Sequence, residues 1–206
     1  MSRATKSNHV FINCPFDTGY QFIFHAVVFA VYFLGFVARC ALEEDDGADF
    51  RLAKIERLIE ECKFSINDLS AVELDPATKL PRFNMPFELG LFLGCKRFGG
   101  KVQNRKRCLI LDRDPYRYRK FLSDVSGQDI RTHNGDSERA MREVRDWLQA
   151  ASRRKSNLPG GGEIVEHYRK FNLDLPDICL VLRLESDRLT FLDFSNTVSE
   201  WLKINR

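Results

Sequence analysis

The stretch Arg82-Phe83-Asn84-Met85-Pro86-Phe87-Glu88-Leu89-Gly90 holds the residue type best placed for chemistry, a glutamate next to a helix start. Pro86 suits a first helical turn, where its missing N–H is not needed, and this predicts a helix from near Pro86 to about Phe98. Glu88 then falls in that first turn, where the positive end of the helix dipole favours the ionised carboxyl. A carboxylate held rigidly in this way can stabilise developing positive charge or attack to form a covalent intermediate. A second reading stands beside it: glutamate in a first turn also serves as a capping-box partner reaching back to the cap. Gly90 and Gly94, four apart, would let one face of this helix approach another element closely.

Asp68 ends the neighbouring apolar run 64–68 (FSIND), so two carboxylates could face one pocket. Asn67-Asp68-Leu69-Ser70 equally reads as a turn held by side-chain-to-backbone hydrogen bonds. Asn13 and Asp17 could contact a ribose or phosphate, or cap the following helix, and Asn84 could contact ligand or cap its own helix. The acidic loop 43–46 reads as a solvated charged loop, with cation binding as the alternative. His25 lies in an apolar helix and reads as a core histidine, while His133 and His167 carry no context. There is no GxSxG, no GxxxxGK[ST] and no Gly-rich dinucleotide fingerprint, which disfavours the serine-hydrolase, P-loop and Rossmann readings. The glycines 160–162 follow no clear strand.

These residues need a scaffold, and the pattern supplies one. Runs 9–13 (HVFIN), 36–42 (FVARCAL), 64–68 and 107–111 (RCLIL) read as strands. Segments 20–34, 51–62 and 86–98 read as the intervening helices, the first apolar on nearly all sides and so covered on most faces. Strands alternating with helices predict an α/β fold: a flavodoxin-like open parallel sheet of about four or five strands with helices on both faces. Right-handed crossovers gather the strand-to-helix loops 13–19, 43–50 and 67–85 at the carboxyl edge, where open α/β sheets bind ligands. After Asp112 the pattern changes. Segments 136–151, 163–171 and 195–204 read as helices, 157–162 as a flexible loop, and 178–184 as either a strand or a helix. The division expected is a flexible N-terminus at 1–8, an α/β domain at 9–125, and a mostly helical extension at 126–206 packed on the same domain.

The chain has 206 residues and a net charge of +3, too mild for the concentrated basic face of a nucleic-acid binder, so nucleic acid is not an expected partner. Its six cysteines are scattered, with no CxxC pair, and read as free thiols of a cytoplasmic protein with no metal site. The apolar run 22–38 is short of the ~20 residues a membrane span needs and is interrupted by His25 and Gly35, so no membrane association is expected.

The segments HVFINCPFD, the strand ending in Asp68, and FNMPFELG together resemble the nucleoside 2-deoxyribosyltransferase-like and TIR-like group over about residues 9–98. Deoxyribosyltransferases carry a helix-opening Gly-Thr-x-Phe-Glu-x-Gly, which Phe87, Glu88 and Gly90 match, whereas Asn84-Met85 replace the Gly-Thr and Arg82 stands where an aspartate is usual. The resemblance implies an N-glycosidase acting on a nucleotide, NAD or NADP above all, with Glu88 catalytic. Asn13, Phe16, Asp17, Asp68 and Asn84 would be substrate-binding. It implies no cofactor beyond the nucleotide itself, a homo-oligomer, and a setting such as bacterial defence. The alternative is a nucleotide-sensing or self-associating module without turnover.

Overall fold

The computed structural model describes residues 6–72, 74 and 79–206. Among the described residues, five parallel strands make one sheet: β1 (Lys6–Asn13), β2 (Val37–Arg39), β3 (Cys62–Asp68), β4 (Arg107–Asp112) and β5 (Ile130–Thr132), in the order β2-β1-β3-β4-β5. This is the flavodoxin-like order, and the chain reverses direction across the sheet between β1 and β3. Seven α-helices accompany it: α1 (Gln21–Phe33), α2 (Arg51–Glu61), α3 (Asn84–Phe98), α4 (Gly100–Gln103), α5 (Ser137–Ser152), α6 (Gly161–Leu182) and α7 (Phe191–Asn205).

Side chains of a strand alternate between its faces, and here the alternation sorts the core. Val10, Ile12, Phe64, Ile66, Leu109 and Leu111 point to the side that carries α1 and α5. Phe11 points to the other side, onto Ile55, Leu58 and Ile59 of α2 and Phe92 of α3. Helix α1 explains its own composition. The sheet lies beneath it, and α5, α6 and α7 pack around it, so residues from Ile23 to Phe33 are almost all buried. No described helix is long and apolar enough to cross a membrane.

Several expectations are corrected. Strand β1 starts at Lys6, which pairs with Cys62, so residues 6–8 belong to the strand, while the rest of the expected flexible terminus lies outside the described residues. The Asp75-Pro76 pair of the long connection before α3 lies outside them too. Strand β2 is only three residues long. The sheet does not end with β4: β5 follows residue 125, pairing Ile110 with Ile130 and Asp112 with Thr132. The loop expected at 157–162 ends at Gly160, and of the strand or helix weighed at 178–184 the helix stands, both set by α6, one 22-residue helix that opens at Gly161 and runs through Pro176. The two glycines sit in its first turn, and Pro176 is exposed, away from the packed side. Gly90 and Gly94 face open space, so no element uses them for close approach.

One junction is built without a loop. Helix α2 passes directly into β3, and the buried Lys106, the residue before β4, donates to the carbonyls of Ile59, Glu60 and Cys62 across that joint. Its ammonium also lies 5.3 Å from the centre of the Phe92 ring. These carbonyls are the orphan acceptors that end any helix, and a buried cation satisfies them in place of water.

Candidate functional site

The carboxyl edge of the sheet is divided by a hydrogen-bonded strap. Asn13 and Asn67 pair in register at the ends of β1 and β3. The buried Asn13 amide donates to Asn67 Oδ1 (3.2 Å) and to the Met85 carbonyl at the start of α3 (2.9 Å), and Asn67 donates to Ser65 Oγ (2.8 Å). These side chains share the α2–α3 face. Asn13, expected to contact ligand or to cap a helix, instead ties the two central strands to α3.

Asp68, one residue on, points to the opposite face by strand alternation. Its Oδ2 accepts from the Tyr20 hydroxyl (2.5 Å) and lies 3.0 Å from His133 Nε2, and its Oδ1 accepts from the Ser70 N–H (2.8 Å). His133 is fully buried after β5 and also meets the Ser70 hydroxyl through Nε2 at 3.0 Å. The Gly135 N–H donates to His133 Nδ1 (3.1 Å), which places the ring proton on Nε2, between Asp68 and Ser70. Both contacts therefore use one nitrogen. A Ser–His–Asp relay needs the hydroxyl and the carboxylate on opposite nitrogens, so this cluster is not one. Burial pushes the Asp68 carboxyl up, but the bonds from His133, Ser70 and Tyr20 outweigh it and hold the group below the usual carboxylate range.

Above this cluster opens a crevice of about 500 Å³, lined by Asp17, Tyr20, Ser70, Arg82, Arg113 and His133 among others. Asp17 lines the crevice, and its Oδ1 accepts from the Tyr20 N–H (3.1 Å) ahead of α1, which has no side-chain cap. Arg82 stands 3.9 Å from the Asp17 carboxylate.

Glu88 is elsewhere. Helix α3 begins at Asn84, two residues before the expected start, and its first backbone bond runs from the Phe87 N–H to the Phe83 carbonyl. Pro86 still gives up nothing, since the first four N–H groups of a helix have no partner inside it. The shift moves Glu88 into the second turn, beyond the cap and away from the dipole's strongest pull. Its position in the stripe is more telling. The buried residues of α3 are Met85, Glu88, Leu89 and Phe92, spaced three, one and three apart: Glu88 occupies an apolar site. It is 6% exposed, and among the described residues no hydrogen bond or ion pair reaches its carboxyl. Burial pushes the group up to about 7, opposed only by Arg51 at the start of α2. The two carboxylates expected in one pocket thus lie on opposite sides of the sheet.

Phe16 packs edge-on to Phe24 at 5.2 Å and touches the cores on both sides of the sheet. Asn84 is exposed and provides no side-chain cap for α3. In the acidic loop Glu43 pairs with Arg39, Glu44 and the nearby Asp49 both pair with Arg57 at 2.6 Å, and Asp46 accepts from the Ala48 N–H. No group of three or more metal-ligating side chains occurs among the described residues. His25 is half-buried rather than a core residue, stacked on Phe194 at 3.9 Å and pulled down to about 4 by burial.

His133 is the site residue that sequence reasoning missed. It lies 63 residues from Ser70, next to a three-residue strand with no apolar alternation, so nothing local marks it. Compared with known protein families and with curated proteins, the chain matches none.

Proposed function

We propose that this protein cleaves the N-glycosidic bond of a nucleotide at Glu88, with NAD or NADP as the substrate class best suited to the site. The observation that carries this reading is the Glu88 carboxyl: buried, without a hydrogen bond among the described residues, and set in an apolar stripe of the helix that starts at the carboxyl edge of the sheet. A buried carboxyl kept without partners costs stability, and such groups concentrate where chemistry needs them. Breaking a ribosyl C–N bond builds positive charge on the sugar, as in glycoside hydrolysis. An ionised Glu88 offsets that charge, or bonds to the anomeric carbon until water displaces it. In NAD the bond electrons pass to an already cationic nicotinamide, which leaves neutral, so no strong general acid is required. Phe50 and Phe87, next in sequence to Arg51 and Glu88, carry exposed rings suited to stacking on a base.

The reading is tested by incubating the purified protein with NAD, NADP, nucleosides and nucleotides and separating any released base, with Glu88→Gln in parallel. Release by the wild type and none by the variant is expected. One observation favours a second reading. The crevice with Arg82 and Arg113 lies on the other side of the strap from Glu88 and suits an anionic ligand that is held without being cleaved. A thermal shift with one nucleotide, no base release, and loss of the shift in Arg82→Ala would select that sensing role.

A further inference from the structure

The two outer faces of the molecule carry exposed apolar patches of opposite charge. On the side of α1, helices α6 and α7 enclose a groove of about 680 Å³. Its walls are Ile178, Val181, Leu182, Trp201 and Ile204, with Val181 80% and Ile204 85% exposed. Its ionisable lining is wholly acidic: Asp177, Asp193 and Glu200. On the side of α2, the end of α3 and the short α4 form a knob. Phe98 is 86% exposed, and Val102 is exposed one turn on. Around them stand Arg97, Lys101, Arg105 and Arg107, all exposed, and the sequence has no acidic residue from Leu89 to Leu111.

We propose that the knob of one copy seats in the groove of the next, Phe98 and Val102 against the apolar walls and the surrounding cations against Asp177, Asp193 and Glu200. Charge selects this occupant. Two grooves facing each other would bring like carboxylates together, and the acidic rim repels an anionic lipid surface; a basic apolar partner fits, and this chain supplies one. Groove and knob lie on opposite faces of the same molecule, so the contact is head-to-tail. Each added copy leaves a knob open at one end and a groove at the other, and growth continues unless the rotation closes a ring. Pairing between such patches is steered by charge and weakened by salt.

Sedimentation velocity of the full chain tests this without reference to turnover. Mass rising with concentration past the dimer at low salt, and falling back at high salt, is expected. Phe98→Asp and Val181→Asp change exposed residues and leave thermal unfolding unchanged, and each alone abolishes growth. Mixed, the two variants form a one-to-one dimer and nothing larger, because one retains the groove and the other the knob. A wild type that stays monomeric at every concentration, an assembly indifferent to Phe98→Asp, or a mixture that fails to dimerise overturns the proposal.

Discussion

Asp68 and Glu88 are both buried carboxylates at the same edge of the same sheet, and their environments push them apart. Asp68 accepts from a tyrosine hydroxyl and a backbone N–H and faces a histidine, and it stays below the usual carboxylate range. Glu88 has burial without bonds and rises to about 7. Burial is the common factor, so hydrogen bonding makes the difference. Asp68 is a structural hub whose capacity is spent inside the protein. Glu88 has a capacity that no described residue takes up.

The sharpest way to break this contrast is Asp68→Ala. It strands the Tyr20 hydroxyl and the His133 Nε2 proton in the interior, and a loss of about 4 kcal/mol in urea unfolding is expected. A loss under 1 kcal/mol would place Asp68 outside the fold's support. Glu88→Gln is expected to do the reverse: unfolding unharmed at neutral pH, and base release down on the order of 10²- to 10³-fold, about 3–4 kcal/mol of barrier. The same group predicts a rise in kcat/KM as pH passes about 7, since the ionised carboxyl is the working form.

Stability sharpens the comparison further. The folded Glu88 binds its proton more tightly than the unfolded one, whose ordinary value is 4.5, so its favourable contribution is complete below that pH. It is lost as pH rises through about 7, by up to about 3 kcal/mol. Glu88→Leu is expected to remove that slope and to be more stable than the wild type at pH 8 by up to the same amount. Asp68 acts in the opposite sense: its contribution is present above 3.8 and lost as the solution is acidified through its lower folded value. Urea midpoints across pH separate the two windows. The smallest effect belongs to the strap. Asn13→Ala removes the bonds to Asn67 and Met85 and should cost about 1–2 kcal/mol by the same assay, with base release also reduced because α3 carries Glu88.

Much of the scaffold was legible before any coordinates. The alternation of apolar runs and helical periods gives four of the five strands, and the all-apolar segment 20–34 gives a helix covered on most sides. What escaped has physical reasons. Strand β5 is three half-buried residues with no period to detect, and only its pairing with β4 defines it. Helix α6 hides behind two glycines and a proline, each tolerated because of where it falls: the glycines in the first turn, the proline on the exposed side. The candidate site was legible in part. Glu88 was singled out by a first-turn argument that the helix start at Asn84 removes, yet a better signal lay in the same sequence: a glutamate inside the spacing Met85, Glu88, Leu89, Phe92 of an otherwise apolar stripe. Strand parity sets Asp68 with Phe64 and Ile66 and opposite Asn67, but that Glu88 lies on the other side follows only from where α3 packs. His133 was not legible either, because its meaning comes entirely from contacts across the chain.

The clamp that Lys106 places on the α2–β3 joint has a mechanical consequence. It fixes the end of α2 that enters β3, while Arg51 stands at the other end. The acidic loop before it is tied to α2 through Arg57 and to β2 through the Glu43–Arg39 pair. Arg51 is the one group that opposes the upward push of burial on Glu88, so a change in the angle of α2 would change the proton affinity of Glu88. Amide exchange should find the pivot stiff around Ile59–Cys62 and the tip around residues 43–50 the first part to yield.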